Sequence, residues 1–293
     1  MDSVVLLSVI FGTIAVFFYA LSAIFIRAGI RDASPIAAMF VSLTVNLVAL
    51  WVVVLAFTDF RVDLWRWRYF ILAGLMAPGL ARLFNYAGIE RLGVNVNAPI
   101  VYANPLVSVA GAIVVLDERL SAIGLAGGVL VICGGAYVGS ARGDGATSFD
   151  RRHLIFPVVA ALVYGFSHLF RKVGIDLVQS PLIAAAVTIT TSWLLAAGYV
   201  FGTGVTIDLN RRQWLSFSLS GLSSSVAIPM LYLAFEVGLV VVVSPLMNLA
   251  PLFVIAISYF AFRQEELFSH RIVLGTVIIV CGITLLTVFG SAS

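Results

Sequence analysis

The stretch "YALSAIFIRAGIRDASP", Tyr19–Pro35, returns about 146 residues later as "YGFSHLFRKVGIDLVQSP", Tyr164–Pro181. In both copies a tyrosine and a serine lie in an apolar run, and a glycine and a proline follow it. An ordered match of this kind indicates that the chain is an internal duplication. The matching positions are Tyr19 with Tyr164, Ser22 with Ser167, Gly29 with Gly174, and Pro35 with Pro181.

The matches continue in the same order towards the end of each half. "NYAGIERLG" (Asn85–Gly93) corresponds to "LYLAFEVG" (Leu231–Gly238), and "DERL" (Asp117–Leu120) corresponds to "QEEL" (Gln264–Leu267). Between the halves lies "ARGDGATSFDRR", which is rich in Gly, Asp, Ser and Arg and is typical of a linker. We therefore predict a first five-helix repeat over residues 1–140, a linker over 141–152 and a second repeat over 153–293.

The composition predicts a membrane protein. Hydrophobic residues make up 61% of the chain and charged residues 11%, whereas soluble domains contain roughly 25% charged residues. Apolar runs of about 20 residues recur without the alternation of a β-barrel, so the spans are predicted to be helices. The predicted segments are 4–27, 35–57, 68–90, 95–116, 121–140, 153–172, 181–201, 213–235, 239–262 and 271–290.

The fold class predicted is therefore an all-α membrane protein with ten transmembrane helices, arranged as two inverted five-helix repeats. Because five is odd, the second repeat enters the membrane in the opposite direction to the first. Inverted repeats are a recurrent design of secondary transporters, in which the substrate site lies near the midplane between the repeats. Such pseudosymmetry gives one chain two similar states, each open to one side.

Other classes of protein fit the sequence poorly. The acids lie at helix ends or in loops, without buried acid pairs for a membrane enzyme, and a phosphate-binding glycine loop is missing. We therefore expect no catalytic residues, no metal and no cofactor. The basic residues lie mostly between apolar runs, which indicates loops at a lipid surface rather than a nucleic-acid site. The two cysteines, Cys133 and Cys281, indicate neither a disulfide framework nor a metal site.

The end of each repeat resembles a known family. "NPLVSVAGAIVVLDERLSAIGLAGGVLVICGG" (Asn104–Gly135) and "APLFVIAISYFAFRQEELFSHRIVLGTVIIVCGI" (Ala250–Ile283) both place a proline in an apolar helix, an acid at its end and a glycine-rich helix after it. This ordered double set resembles the EamA-type branch of the drug/metabolite transporter (DMT) superfamily. The resemblance implies a ten-helix transporter of small organic metabolites, often exported, with a cavity lined by helices 1, 3, 4, 6, 8 and 9.

Polar residues of the third and fourth predicted helices are candidate substrate ligands, because polar groups within a span face the bundle or a wet cavity. Asn97 and Asn104 share one face of the fourth helix, and Tyr102 lies on an adjacent face. The alternative for these residues is interhelical hydrogen bonding. In the third helix Arg82 lies one turn before Asn85 and Tyr86, and it could clamp a carboxylate. Pairing with Glu90 or snorkelling to the surface is the alternative for Arg82.

The second set of candidates follows from the repeat. Tyr19 and Tyr164 are equivalent, and His168 lies one turn after Tyr164, as a cavity residue or as a packing residue. Ser244 and Asn248 share a face of the ninth helix.

Pro105 and Pro251 are equivalent, and we predict that they form a hinge or a static kink. Each proline frees a backbone carbonyl one turn earlier, at about Val101 and Met247. Glu90 and Glu236 end equivalent helices, as possible proton-coupling groups or as ordinary solvated acids.

These observations together predict a multi-pass carrier of the inner (plasma) membrane that acts as a monomer in the lipid bilayer. Its expected substrate is a small organic metabolite, with amino acids or their derivatives first, because Asn, Tyr and Arg suit a zwitterion bearing an apolar side chain. The alternative function is a channel or a lipid scramblase. The resemblance implies cytoplasmic termini, whereas the distribution of Lys and Arg favours external ones.

Overall fold

The computed structural model describes residues 3–30, 33–59, 62–119, 121–140 and 150–262, together with 274–275, 277–279, 281–282 and 284–285. Within these residues every regular element is a helix. The elements of the first half are α1 (Ser3–Gly29), α2 (Pro35–Phe57), α3 (Leu64–Gly74), a π-helical segment (Leu75–Leu80), α4 (Ala81–Leu92), α5 (Val94–Val101), α6 (Asn104–Val115) and α7 (Ala122–Ser140). Those of the second half are a 3₁₀ turn (Arg151–Leu154), α8 (Ile155–Val178), α9 (Pro181–Thr203), α10 (Arg211–Val237), α11 (Val240–Leu246), a 3₁₀ turn (Met247–Leu249) and α12 (Ala250–Phe262).

Seven helical stretches of the described residues are long and apolar enough to cross a membrane. Two shorter apolar helices, Ala122–Gly135 and Val240–Val254, lie in the fifth and ninth predicted spans. The all-α prediction is thus confirmed for the described part of the chain. Predicted span 271–290 lies largely outside the described residues, so the count of ten remains a prediction.

Two predicted boundaries were wrong, for local reasons. The third span begins at Leu64 rather than 68, because the Asp63 carboxylate caps it by accepting from the Arg66 backbone N–H at 3.0 Å. The sixth span continues to Val178 rather than ending at 172, and Gln179 in the left-handed conformation ends it. Arg171 therefore lies inside α8 instead of at its end.

Three predicted spans are interrupted near their middle. The third breaks at Ala77, whose φ of −144° and ψ of 130° are extended, directly before Pro78. The fourth breaks between α5 and α6, and the ninth breaks between α11 and α12. Pro105 and Pro251 lie in the first turn of α6 and of α12, where proline's missing N–H costs no helical hydrogen bond.

The two halves pack with the pseudosymmetry that the sequence predicts. Helix α1 packs along α10, and its repeat counterpart α8 packs along α3 and α4. Helix α2 packs against its own counterpart α9, and α6 packs against α11. These paired contacts follow the correspondence between the two repeats.

Two faces of the bundle can be defined. At the linker face α4 ends, α5 begins and the turn Arg151–Leu154 enters α8; Gly93 makes the α4–α5 connection with φ +74°, which favours glycine. At the far face α6 ends and α11 begins, and the start of α1 lies beside the end of α10, where Gly238 contacts Ser8.

Candidate functional site

A cavity of about 400 Å³ lies between the two repeats. Its walls come from α1, α2, the broken third span, α5, α6 and five elements of the second half. The lining extends from mid-bundle towards the linker face, where Ile89 and Asn97 belong to the last turns of α4 and the first turn of α5. This volume falls in the range of small-molecule sites, roughly 300–1,000 Å³.

Most of the candidate substrate-binding residues line this cavity. The cavity is lined by Tyr19, Arg82, Asn85, Asn97, Tyr102, Asn104, Tyr164, His168 and Asn248. Tyr86 instead packs against the main hydrophobic cluster, and Ser244 lies behind His168, with its Oγ 3.1 Å from His168 Nδ1. Neither Glu90 nor Glu236 is among the lining residues. The ligand and coupling roles of all these residues remain predictions.

The broken fourth and ninth spans meet at the centre of the cavity. Asn248 Nδ2 donates to the backbone oxygen of Tyr102 at 2.8 Å, and these two residues occupy equivalent positions of the repeats. Asn104 Nδ2 donates to the Val101 backbone oxygen at 2.9 Å, so this carbonyl, which the sequence predicted to be free, is occupied from within the chain. The two breaks are therefore joined directly across the pseudosymmetry axis.

His168 connects three of the cavity helices. Besides its contact with Ser244 of α11, it packs against the ring of Phe235, with centroids 5.6 Å apart. The hydroxyls of Ser244 and Ser108 are hydrogen-bonded to each other, and Ser108 Oγ donates to the Pro105 backbone oxygen at 3.2 Å. Both proposed roles of His168, lining and packing, are thus compatible with its position.

Arg171 is the most important residue that sequence reasoning missed. It is 4% exposed, lines the cavity, and donates from Nη2 to the Ala77 backbone oxygen at 2.7 Å and from Nε to Ser167 Oγ at 3.2 Å. Its guanidinium carbon lies 5.6 Å from the ring centre of Tyr232. The predicted span 153–172 would place Arg171 at a helix end, although its spacing from Tyr164 and His168 places all three on one helix face.

Two asparagines carry buried acceptors without a hydrogen-bond partner among the described residues. They are Asn46 Oδ1 and Asn97 Oδ1. Asn97 Nδ2 donates to Asn85 Oδ1 at 2.6 Å, while its own oxygen lies against Gly88. Asn46 of α2 also lines the cavity.

The cavity is electropositive. Among the described residues that line it there are two cations, Arg82 and Arg171, and neither Asp nor Glu. The ion pairs found in the described part of the chain are Arg66–Asp63, Arg119–Asp117 and Lys172–Asp176, so the predicted alternative of an Arg82–Glu90 pair is wrong. Arg82 lies instead at the hydroxyl of Tyr164.

At the far face a carboxylate joins the repeats. Glu118 follows α6, is 6% exposed and accepts from the backbone N–H groups of Val240 and Val241 at 3.0 and 2.9 Å. Burial raises the pKa of Glu118, although these two hydrogen bonds oppose the rise. The contact holds the start of α11 against the end of α6, on the side away from the cavity's lining at the linker face.

Comparison with known proteins agrees with this architecture. The model of the EamA-like transporter family matches residues 6–139 and 152–288. No curated protein matches the chain. A solved structure described as "Crystal structure of protein" is similar over 96% of this chain and 98% of its own, with a TM-score of 0.80 and 16% identity, which supports the fold alone. The two matched ranges span nearly all of the chain, which therefore belongs to the EamA-like transporter family of the DMT superfamily and is a multi-pass membrane transporter.

Proposed function

We propose that this protein is a secondary transporter that moves small organic metabolites through the central cavity by alternating access. Amino acids or their derivatives are the first candidates. The observation that carries the proposal is the cavity itself, which lies between inverted repeats and is lined by nine of the predicted polar residues.

Alternating access is supported by the interrupted spans. Half-helices that meet at mid-bundle can rearrange at their breaks without unfolding, and the Asn248–Tyr102 contact couples the two breaks. The Glu118 contact closes the far face while the lining reaches towards the linker face. Exchange of roles between the repeats would open the far face in turn.

Export is supported by the charges at the two faces. Cytoplasmic loops carry an excess of Lys and Arg, and this excess lies at the linker face, towards which the cavity extends. The described Lys and Arg residues near the linker face are Arg27, Arg91, Arg151, Arg152, Arg211 and Arg212, and those near the far face are Arg66, Arg68, Arg119 and Lys172. In the predicted ten-helix topology the C-terminus lies at the far face. A reporter fused after Ser293 therefore tests this orientation, because a cytoplasmic signal would place the far face inside and contradict it.

The carrier mechanism is tested by counterflow. The purified protein is reconstituted into liposomes. These liposomes are preloaded with one member of a panel of amino acids and their derivatives, and uptake of the same compound in labelled form is followed. A carrier gives saturable uptake that internal substrate accelerates. A channel gives uptake that neither saturates at moderate concentration nor responds to preloading, and a scramblase moves labelled lipid instead; either result would remove the proposal.

A further inference from the structure

We propose that Arg82 and Arg171 bind an oxyanion of the substrate, so that the transported species carries net negative charge. The preferred amino-acid derivatives are then those with a free carboxylate and a blocked amine rather than zwitterions. This inference rests on the proposed function, because it assumes that the cavity is the substrate path.

Arg171 is held in place with donors to spare. A guanidinium has five N–H donors, and the contacts to Ala77 and Ser167 use one from Nη2 and one from Nε. The hydroxyl of Tyr19 lies close to the same group. Because backbone and side-chain contacts fix the plane of the guanidinium, the remaining donors form a preorganised fork at the cavity wall, which suits a carboxylate or phosphate.

Arg82 brings a second cation to the same cavity from the opposite repeat. It lies on α4, one turn after the break in the third span, at the hydroxyl of Tyr164. Its charge also acts on Tyr19, the neighbour of Arg171, so that the two arginines share a cluster of tyrosine hydroxyls. One anionic group of the substrate can therefore interact with both guanidinium groups.

The charge balance of the site is what points to an anion. Charged side chains within a membrane span are normally paired with each other or line a pathway. Neither arginine has a carboxylate within 4.0 Å among the described residues, and the described lining contains no acid. A bound oxyanion supplies the missing negative charge, whereas an ammonium group would lie beside two guanidinium groups with no acid to receive it.

A purely structural role for Arg171 makes a different prediction. If Arg171 served only to bind the freed carbonyl of Ala77, its replacement would lower stability without changing which ligand charge the cavity prefers. Ligand selectivity, rather than loss of activity, is therefore the property that separates the two roles.

The test compares ligands that share one side chain but differ in net charge. Thermal unfolding of the purified full chain is measured with N-acetylleucine (anion), leucine (zwitterion), N-acetylleucinamide (neutral) and leucinamide (cation), and again with the phenylalanine series. Glycerol 3-phosphate beside glycerol separates phosphate from carboxylate preference. We expect the anion of at least one series to bind roughly tenfold or more tightly than its neutral partner, with leucinamide-type cations the weakest.

Variants of the two arginines test whether these residues cause the preference for anions. Arg82→Gln and Arg171→Gln are expected to reduce the anion-to-neutral ratio towards one, and Arg171→Lys, which keeps the charge but loses the fork, to reduce it partially. Arg91→Gln is the matched control, since Arg91 lies outside the cavity over the ring of Phe156 at 4.2 Å. If Arg171→Gln fails to fold, Arg82→Gln and Arg171→Lys carry the test.

Three results would overturn the inference: no anion stabilises the protein, a neutral or cationic partner binds as tightly as the anion, or the arginine variants keep the wild-type ratio. Counterflow keeps this failure distinct from that of the proposed function. Accelerated exchange of neutral or cationic compounds would leave the carrier in place and remove the anion site. Binding of anions without exchange of any compound would do the reverse.

Discussion

Ser22 and Ser167 occupy equivalent positions of the two repeats, yet they bind different kinds of partner. Ser22 Oγ lies 2.7 and 2.9 Å from the hydroxyls of Ser220 and Ser224 on α10, which is continuous. Ser167 Oγ donates instead at 3.3 Å to the backbone oxygen of Ala73 on α3, directly before the break in the third span. The scaffold is symmetric, but one copy of this helix pair is intact and the other is broken.

The two helix pairs differ because the third span is broken and its counterpart α10 is not. In the first repeat's copy of α10, the break exposes backbone oxygens that α8 and α9 then bind through Ser167, Ser192 and Arg171. The equivalent of Arg171 in α1 is Ile26. The broken pair therefore places the Arg171 guanidinium, bound to the Ala77 carbonyl, beside the cavity, whereas the intact pair supplies neutral hydroxyls. The proposed anion site therefore lies at the broken pair.

The largest effect on stability is expected where the broken half packs most tightly. A methyl group at Gly165 would collide with Val107 and with the backbone oxygen of Asn104, whereas its equivalent, Ala20, is already an alanine. We expect Gly165→Ala to lower the free energy of unfolding by about 1–3 kcal/mol, and Ala20→Gly by about 0.5–1 kcal/mol. Thermal unfolding of both variants measures the difference, and equal losses would contradict the asymmetry.

A similar or smaller effect is expected from serines that bind the broken span and its intact counterpart. Pro78 cannot donate to the Gly74 backbone oxygen, and Ser192 Oγ donates to it at 2.7 Å. Ser192→Ala should therefore cost about 2 kcal/mol by leaving a buried acceptor poorly satisfied. Ser22→Ala should lower the free energy of unfolding by about 1 kcal/mol or less. Its partners Ser220 and Ser224 carry hydroxyl groups, which can donate and accept hydrogen bonds elsewhere. A larger loss in Ser22→Ala than in Ser192→Ala would reverse the comparison.

The smallest effect concerns the closed far face. Because the pKa of Glu118 is raised in the folded protein, the folded state binds this proton more tightly than the unfolded state. Its contribution to stability is therefore complete below the ordinary carboxyl pKa and is lost as the pH rises through the raised value. Glu118→Gln should flatten the stability profile where the pH rises above the ordinary carboxyl pKa. An unchanged profile would show that Glu118 does not contribute to it.

Much of the architecture could be predicted because it follows from composition and repetition. Apolar runs fix the spans, and the pairing of Pro105 with Pro251 marks the breaks in the fourth and ninth. The break at Pro78 was missed because this proline has no equivalent in the second half and lies within an apolar run. Its conformation depends on donors from α8 and α9, which no local pattern reveals.

The sequence predicted most of the polar residues that line the cavity, but it did not predict the full positive charge of the cavity. Asn97, Asn104 and Tyr164 were found because a polar group in an apolar helix is conspicuous. Arg171 was missed because a charge near the end of a hydrophobic run ordinarily marks the membrane surface, and only the true end of α8 at Val178 shows that it is buried.

The central claim, that the cavity between the repeats is the substrate path, is tested most directly by counterflow in cavity variants. The compared proteins are wild type, Asn104→Leu, the cavity-filling Ala98→Phe, and Val114→Leu, whose side chain is 82% exposed on the outside of the bundle. Each is checked for insertion and thermal unfolding, and the solute is the compound that most stabilises the wild type. We expect Val114→Leu to exchange normally and both cavity variants to lose exchange roughly tenfold or more. Unchanged exchange in folded Asn104→Leu and Ala98→Phe would contradict the claim.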